Sequence, residues 1–190
     1  MPSPIVLAST SRYRCELLER FGIPFLVDKP DVDETQTAAE SPFENCRRLA
    51  LAKAYVVADR HPTSIVIGSD QVLDLDGIAL SKPGDFTTAL DQLKRCQGRT
   101  LRCYTALCVV SPGREPLLDV VTTEITYRTL SDATLIAYLN REQPYDAAGA
   151  VKVETAGIAL LRSVTSDDPT AIIGLPLIRL TDFLLELGVL

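Results

Sequence analysis

The chain has 190 residues, 46% of them apolar and 23% charged, with 25 acidic against 19 basic side chains and a net charge of −6. That composition builds a globular core and excludes disorder. The acidic balance argues against a duplex-DNA binder, which needs a basic footprint, so an anionic ligand must meet a local positive field or a metal.

The first element, an apolar run over residues 3–8, reads as a buried strand, and a helix follows over 11–21. Between them lie Ser9, Thr10 and Ser11, then Arg12 and Arg14. A strand feeding a helix through small hydroxyl residues aims backbone N–H groups and the helix dipole at one spot, and arginine forks suit phosphate. An ordinary helix cap with surface arginines fits the same letters. Pro24 to Val27 makes a second strand, and an acidic loop runs from Asp28 to Glu34. Ser41-Pro42 opens a long helix to about Asp59, with Ser as N-cap and Pro at its first position.

Ile65-Val66-Ile67 predicts a strand buried on both faces, and Asp74 to Gly77 a hairpin-like turn. Lys82-Pro83-Gly84 breaks the chain before a helix over 85–95. Strands near 99–110 and 116–128 flank the turn Ser111-Pro112-Gly113, and Ser131 caps a helix to Asn140. Further strands are expected near 145–152 and 157–163. The apolar stretch from Ala171 to Leu190, interrupted by Arg179, Asp182 and Glu186, reads as an amphipathic core helix and not a membrane span. Alternating elements followed by paired strands predict an α/β fold with a mixed sheet. The length fits one domain over 1–190.

Five cysteines, an odd number without zinc-type spacing, read as buried reduced thiols in a cytoplasmic protein, and no signal peptide is visible. The only histidine, His61, falls in a turn before Pro62, which removes triad and multi-histidine chemistry. Catalysis must then run on carboxylates, lysines, arginines and a metal. Asp70 is the leading candidate, because it follows a buried strand at the end where α/β crevices open. A carboxylate there can hold a metal or take a proton from attacking water.

Lys53 is the only charged residue from Leu49 to Ala58, so it either snorkels to water or is held inward by an anion. Lys82, ahead of Pro83, offers a similar loop-borne cation. Glu34 could complete a metal site with Asp70, although acidic loops are usually only solvated. Gly149 to Glu154 alternates, which would place Lys152 and Glu154 on one strand face, with a cross-strand ion pair as the plain alternative. Neither G-x-x-x-x-G-K-[ST] nor G-x-G-x-x-G occurs, leaving a polyphosphate site spread along the chain.

Taken together, Leu7-Ala8-Ser9-Thr10-Ser11 with Arg14, Asp33-Glu34, Lys53-Ala54, Gly68-Ser69-Asp70, Lys82-Pro83, Tyr104-Thr105, Ala148-Gly149 and Gly174-Leu175-Pro176-Leu177 resemble the Maf family of nucleoside triphosphate pyrophosphatases. The resemblance implies a twisted mixed β-sheet flanked by helices, with two lobes around a cleft, as in inosine triphosphatases. It further implies a divalent metal, Mg or Mn, a homodimer, and cleavage between the α- and β-phosphates of a nucleoside triphosphate. On that basis Asp70 activates water, Glu34 and Asp70 serve the metal, and Ser9, Arg14, Lys53 and Lys82 hold the triphosphate.

Tyr13, Gln71 and Glu154 stand where the pyrimidine-preferring branch carries other residues, and they look like the 7-methyl-GTP branch. Arg12 replaces the family's usual proline. An aromatic face attracts a base made cationic by N7 methylation, and one carboxylate can accept both N1–H and N2–H2 of guanine. The implied activity is removal of 7-methyl-GTP from the nucleotide pool, with a link to cell-division arrest. A dTTP/UTP pyrophosphatase of the same family and a non-catalytic nucleotide-binding regulator are the alternatives. No stable nucleic-acid or membrane partner is expected. In a regular strand Asp70 and Gln71 face opposite sides, so both line one cleft only if the strand ends or bulges there.

Overall fold

The computed structural model describes residues 3–37 and 39–190. Strand β1 (Ile5–Ala8) is buried on both faces, as its unbroken apolar run requires, and leads into helix α1 (Arg12–Leu18), extended by a 3₁₀ turn over Glu19–Phe21. Gly22, at φ 65°, ends that helix and returns the chain to β2 (Phe25–Val27), parallel to β1. Helix α2 (Pro42–Ala58) starts on a reciprocal cap: the Ser41 hydroxyl accepts from the Glu44 N–H at 3.2 Å, and the Glu44 carboxylate accepts from the Ser41 N–H at 3.0 Å.

Strand β3 (Ile65–Leu75) turns at Asp76-Gly77, both at positive φ, into the short β4 (Ile78–Leu80). Helix α3 (Phe86–Cys96), strands β5 (Thr100–Val110) and β6 (Leu117–Tyr127), and helix α4 (Asp132–Glu142) follow. Strand β7 (Leu161–Thr165) and helix α5 (Leu177–Glu186) complete the fold.

The seven-stranded sheet runs β2-β1-β3-β5-β6-β7, with β4 also on β3. It is the mixed α/β sheet that the sequence predicts. One detail of its topology creates the site. Strand β5 lies along β3 from Val66 to Asp74, so β1 and β4 must share the other side of β3. There β1 pairs only as far as Gly68 and β4 begins only at Leu73. Residues 69–72 therefore form a notch in the sheet, with unpaired edge between two strand ends.

Helix α2 covers one face of the sheet. A Cβ on Gly68 would lie 2.7–2.8 Å from the Ala50 carbonyl and Ala54, so the glycine lets the helix axis approach β3. The other face carries two apolar clusters. One joins β1, α1 and α5 around Leu7, Ile67, Leu107 and Leu184; the other joins α3 and α4 around Leu73, Leu93, Leu101 and Leu139. Buried hydroxyls of Ser69, Thr105 and Thr123 lie between them.

Three expectations fail. No strand forms over 145–152: Gly149 and Ala150 adopt φ of 68° and 56°, and the Tyr138 hydroxyl serves the Ala150 carbonyl and the Lys152 N–H in place of a neighbouring strand. Residues 156–160 coil as a 3₁₀ turn, so the last strand is β7 and not 157–163. The C-terminal helix starts only at Leu177, because Pro176 and the left-handed Gly174 break the apolar run. No helix among the described residues is long and apolar enough to cross a membrane. All five cysteines are free.

Candidate active site

Asp70 sits in the notch, mid-strand in β3 and not at its C-terminal end, with its side chain on the α2 face. Lys53 projects from α2 onto it, and its Nζ lies 2.6 Å from Asp70 Oδ1 and 2.6 Å from Glu34 Oε1. The Lys53 and Asp70 side chains are only 8% and 10% exposed, whereas Glu34 reaches in from the loop at 60%. Lys53 therefore does not snorkel; the anion holding it inward is a pair of the protein's own carboxylates. Burial raises the Asp70 pKa above the ordinary carboxylate value, opposed by Lys53 and Arg14. The hydrogen bond from Lys53 holds Glu34 below its ordinary value. The buried Cys46 thiol, which sequence reading treats only as core, donates to the Asp70 carbonyl at 3.3 Å and the Tyr104 carbonyl at 3.2 Å.

The two N-terminal arginines part company. Arg12 points outward to Glu16, while Arg14 turns inward. Arg14 donates through Nε to the Gly174 carbonyl at 2.8 Å and through a terminal nitrogen to Ser9 Oγ at 3.4 Å. Burial lowers its pKa and the charge of Asp70 opposes that shift, so the guanidinium faces the same electrostatic site. Ser9 Oγ accepts from the Ser11 N–H, and Ser11 caps α1. Lys82 is exposed, near enough to Glu34 and Asp146 to favour their ionised forms.

Tyr13 and Glu154 line one cleft of about 310 Å³, together with Arg12, Glu16, Leu17 and Ile173. Burial raises the Tyr13 pKa, and the negative charge of Glu154 adds to it. The strand-face reading of Lys152 and Glu154 is replaced by a tight turn, in which the Thr155 N–H donates to the Lys152 carbonyl. Lys152 pairs with Asp146 at 2.8 Å, and Glu154 projects exposed beside Tyr13.

Gln71 departs most from expectation. The β3–β5 register runs without a bulge from Val66 to Asp74, so Gln71 faces away from Asp70. Its amide nitrogen lies 2.9 and 3.0 Å from the carbonyls of Ala171 and Ile172 and 3.2 Å from Thr105 Oγ1. It holds a turn of the protein. His61 pairs with Asp28 at 2.9 Å.

Among the described residues no three His, Cys, Asp or Glu side chains converge as a metal site. Asp70 and Glu34 nevertheless meet at a single cation, the Lys53 ammonium. Two carboxylates completed by phosphate oxygens suit a hard divalent ion such as Mg²⁺. The residues fit that group.

The model of a family described as Maf-like protein matches residues 4–187. The chain is 50% identical over 188 residues to a Bordetella pertussis protein bearing the name 7-methyl-GTP pyrophosphatase, covering 99% of this chain and 94% of that one. It is 50% identical to a protein of the same name from Cupriavidus pinatubonensis, with 97% and 93% covered. A third, from Aromatoleum aromaticum, is 47% identical, with 99% and 97% covered. Among solved structures, the Staphylococcus aureus Ham1 protein aligns at a TM-score of 0.46 and 17% identity over 66% of this chain and 72% of that one. A nucleoside-triphosphatase / dITP/XTP pyrophosphatase from Mycobacterium abscessus aligns at 0.46 and 20% identity over 65% and 74%.

Proposed function

The chain belongs to the Maf-like protein family, and from that premise we propose that it is a nucleotide pyrophosphatase that hydrolyses 7-methyl-GTP to 7-methyl-GMP and diphosphate. The observation that carries the substrate is the pairing of an aromatic ring, Tyr13, with an exposed carboxylate, Glu154, along one cleft. N7 methylation makes guanine cationic, so it gains from stacking on Tyr13 and from the nearby negative charge. Glu154 accepts the N1–H and N2–H2 donors that no pyrimidine presents together.

The triphosphate then extends toward Arg14, Ser9, Lys53 and Lys82. Lys53 leaves the two carboxylates to take a phosphate oxygen, which frees Asp70. A water oxygen attacks the α-phosphorus, its proton passes to Asp70, and the bond to the β-phosphate breaks to release diphosphate. A raised pKa suits Asp70 to this proton transfer. Arg14, Lys53 and Lys82 offset the charge that builds on the leaving group. Asp70 and Glu34 would hold a divalent cation, Mg or Mn, which when bound supplies positive charge to the phosphate oxygens. A cytoplasmic setting is supported by the five free cysteines, and a homodimer rests on the family resemblance alone.

The test is a panel of triphosphates (7-methyl-GTP, GTP, dTTP and UTP) assayed for diphosphate release with and without Mg²⁺ or Mn²⁺. The highest kcat/KM on 7-methyl-GTP supports the proposal. Preference for dTTP or UTP moves the chain to the pyrimidine reading, and no metal-stimulated release from any of them sinks it as an enzyme.

A further inference from the structure

Two segments singled out in the sequence, Tyr104-Thr105 and Gly174-Leu175-Pro176-Leu177, touch neither the water-activating carboxylate nor the base-facing pair. In the structure both adjoin one turn, residues 171–174. Thr105 is fully buried, and its hydroxyl donates to the Ala171 carbonyl at 2.8 Å. Its cross-strand partner is Gln71, whose amide nitrogen spans Thr105 Oγ1 and the carbonyls of Ala171 and Ile172. Ser69, also fully buried, donates to the Gly174 carbonyl at 2.9 Å. Arg14 donates to that same carbonyl at 2.8 Å. Three side chains on one sheet face, Ser69 and Gln71 of β3 and Thr105 of β5, thus grip three carbonyls of a single four-residue turn.

The turn has one side chain lining the base-facing cleft, Ile173, together with Tyr13 and Glu154. Its last carbonyl, on Gly174, is a fixed acceptor for the phosphate-facing Arg14. Gly174 is at φ 118°, and a Cβ there would come within 3.3 Å of Arg14 Nε, so the backbone itself shapes the guanidinium's seat. The buried Thr105 and Ser69 hydroxyls donate to turn carbonyls and are not needed for sheet pairing, which the backbone completes. A valine at 105 would keep the side chain's shape but leave the Ala171 carbonyl without its donor.

We propose that Thr105 is a positioning residue for base selection, acting through the 171–174 turn to set Ile173 against Tyr13 and Glu154, while Ser69 and Gly174 position Arg14 at the phosphate end. The inference rests on the reading of this site as a 7-methyl-GTP pyrophosphatase. It also reassigns Gln71: from the sheet face opposite Asp70, its side chain acts on base selection by holding the turn.

The experiment compares wild type, Thr105→Val, Thr105→Ser and Ser69→Ala on 7-methyl-GTP and UTP, with KM and kcat resolved and folding checked by circular dichroism. Thr105→Val keeps shape but loses the hydroxyl. It raises KM for 7-methyl-GTP by about tenfold, the scale of one displaced apolar contact, while kcat holds within about threefold. UTP moves less, and Thr105→Ser restores the wild-type KM. Ser69→Ala lowers kcat/KM on both substrates alike.

Wild-type KM in folded Thr105→Val, or a uniform loss that Thr105→Ser does not rescue, overturns the proposal. Should Thr105→Val not fold, Ile173→Ala removes the side chain that the clamp places and is expected to give the same selective rise in KM; an unchanged KM there overturns it equally. If wild type itself does not cleave 7-methyl-GTP, the substrate reading fails instead. The same variants are then compared on whichever triphosphate it prefers, where Thr105→Val must still alter selectivity.

Discussion

Asp70 and Lys53 stand midway along an eleven-residue strand and a seventeen-residue helix, whereas Tyr13 and Glu154 stand on a seven-residue helix and a turn without regular structure. The first pair is buried and bonded to itself; of the second, Tyr13 is half-buried and Glu154 exposed. Every nucleoside triphosphate presents the same phosphates, so the end proposed to read them can be rigid and pre-paired. Bases differ, and the end proposed to read them sits on short elements, with Ile173 of the 171–174 turn lining the same cleft. The contrast separates effects that should strike all substrates from effects that should strike one.

The largest expected effect lies at the buried end. Asp70→Asn keeps the shape of the notch but removes the proton acceptor, and turnover by the folded variant at saturating metal falls about 10²- to 10⁴-fold on every triphosphate. A substrate-selective loss would break the division between the two ends.

Lys53→Met sharpens the same point through stability. Removing a lone desolvated lysine would relieve its burial cost and keep or raise stability. The structure reverses the sign, because Asp70 is left buried without its partner. The expected cost at neutral pH is about 3 kcal/mol, at the low end for a broken buried pair since Arg14 remains nearby. Burial already raises the folded pKa of Asp70, and loss of Lys53 raises it further. An acid with a raised folded pKa contributes stability that is present below its unfolded value and lost as pH rises through the folded value. The gap between variant and wild type therefore widens with rising pH, and Lys53→Met with Asp70→Asn narrows it. Denaturant unfolding in metal-free buffer reads both, and a gap independent of pH would dissolve the pair.

At the open end, Glu154→Gln turns one acceptor toward guanine into a donor facing a donor. One lost charge-assisted bond with one unsatisfied group costs roughly 2–4 kcal/mol, or about 30- to 1,000-fold in kcat/KM on 7-methyl-GTP. UTP hydrolysis changes little, and so does thermal stability, since Glu154 is exposed. Equal losses on 7-methyl-GTP, GTP and UTP would end the case for base readout by this carboxylate.

The same contrast governs how much could be read from the sequence. Ser41-Pro42 and Ser131 announce α2 and α4, because caps act within a few residues, and the apolar runs of β1 and β3 announce themselves by composition. Asp70 and Lys53 each stand out as charges in apolar surroundings. That they bond each other depends on where α2 lands on β3, which the Gly68 contact decides and local pattern does not. The Gly149–Glu154 segment alternates like a strand but is held as a turn by Tyr138 and two left-handed residues. Strand parity already set Gln71 against Asp70. Only the tertiary fold shows what Gln71 grips, since its acceptors lie a hundred residues away.

The smallest effect tests the finest distinction. Tyr13 lies on α1 between an arginine turned outward to Glu16 and an arginine turned inward to Gly174, so removing its ring leaves both contacts in place. GTP and 7-methyl-GTP share every hydrogen-bond donor that Glu154 reads, and differ in the positive charge on the ring. Stacking of that charge on an aromatic face is worth about 0.5–2 kcal/mol. Tyr13→Ala should therefore reduce the preference for 7-methyl-GTP over GTP by about 2- to 30-fold, while Tyr13→Phe, which keeps the ring face, retains most of it. The comparison is of kcat/KM for the two substrates in each variant. If alanine weakens both equally, Tyr13 supplies only apolar area, and the methylated base is recognised by charge at Glu154 alone.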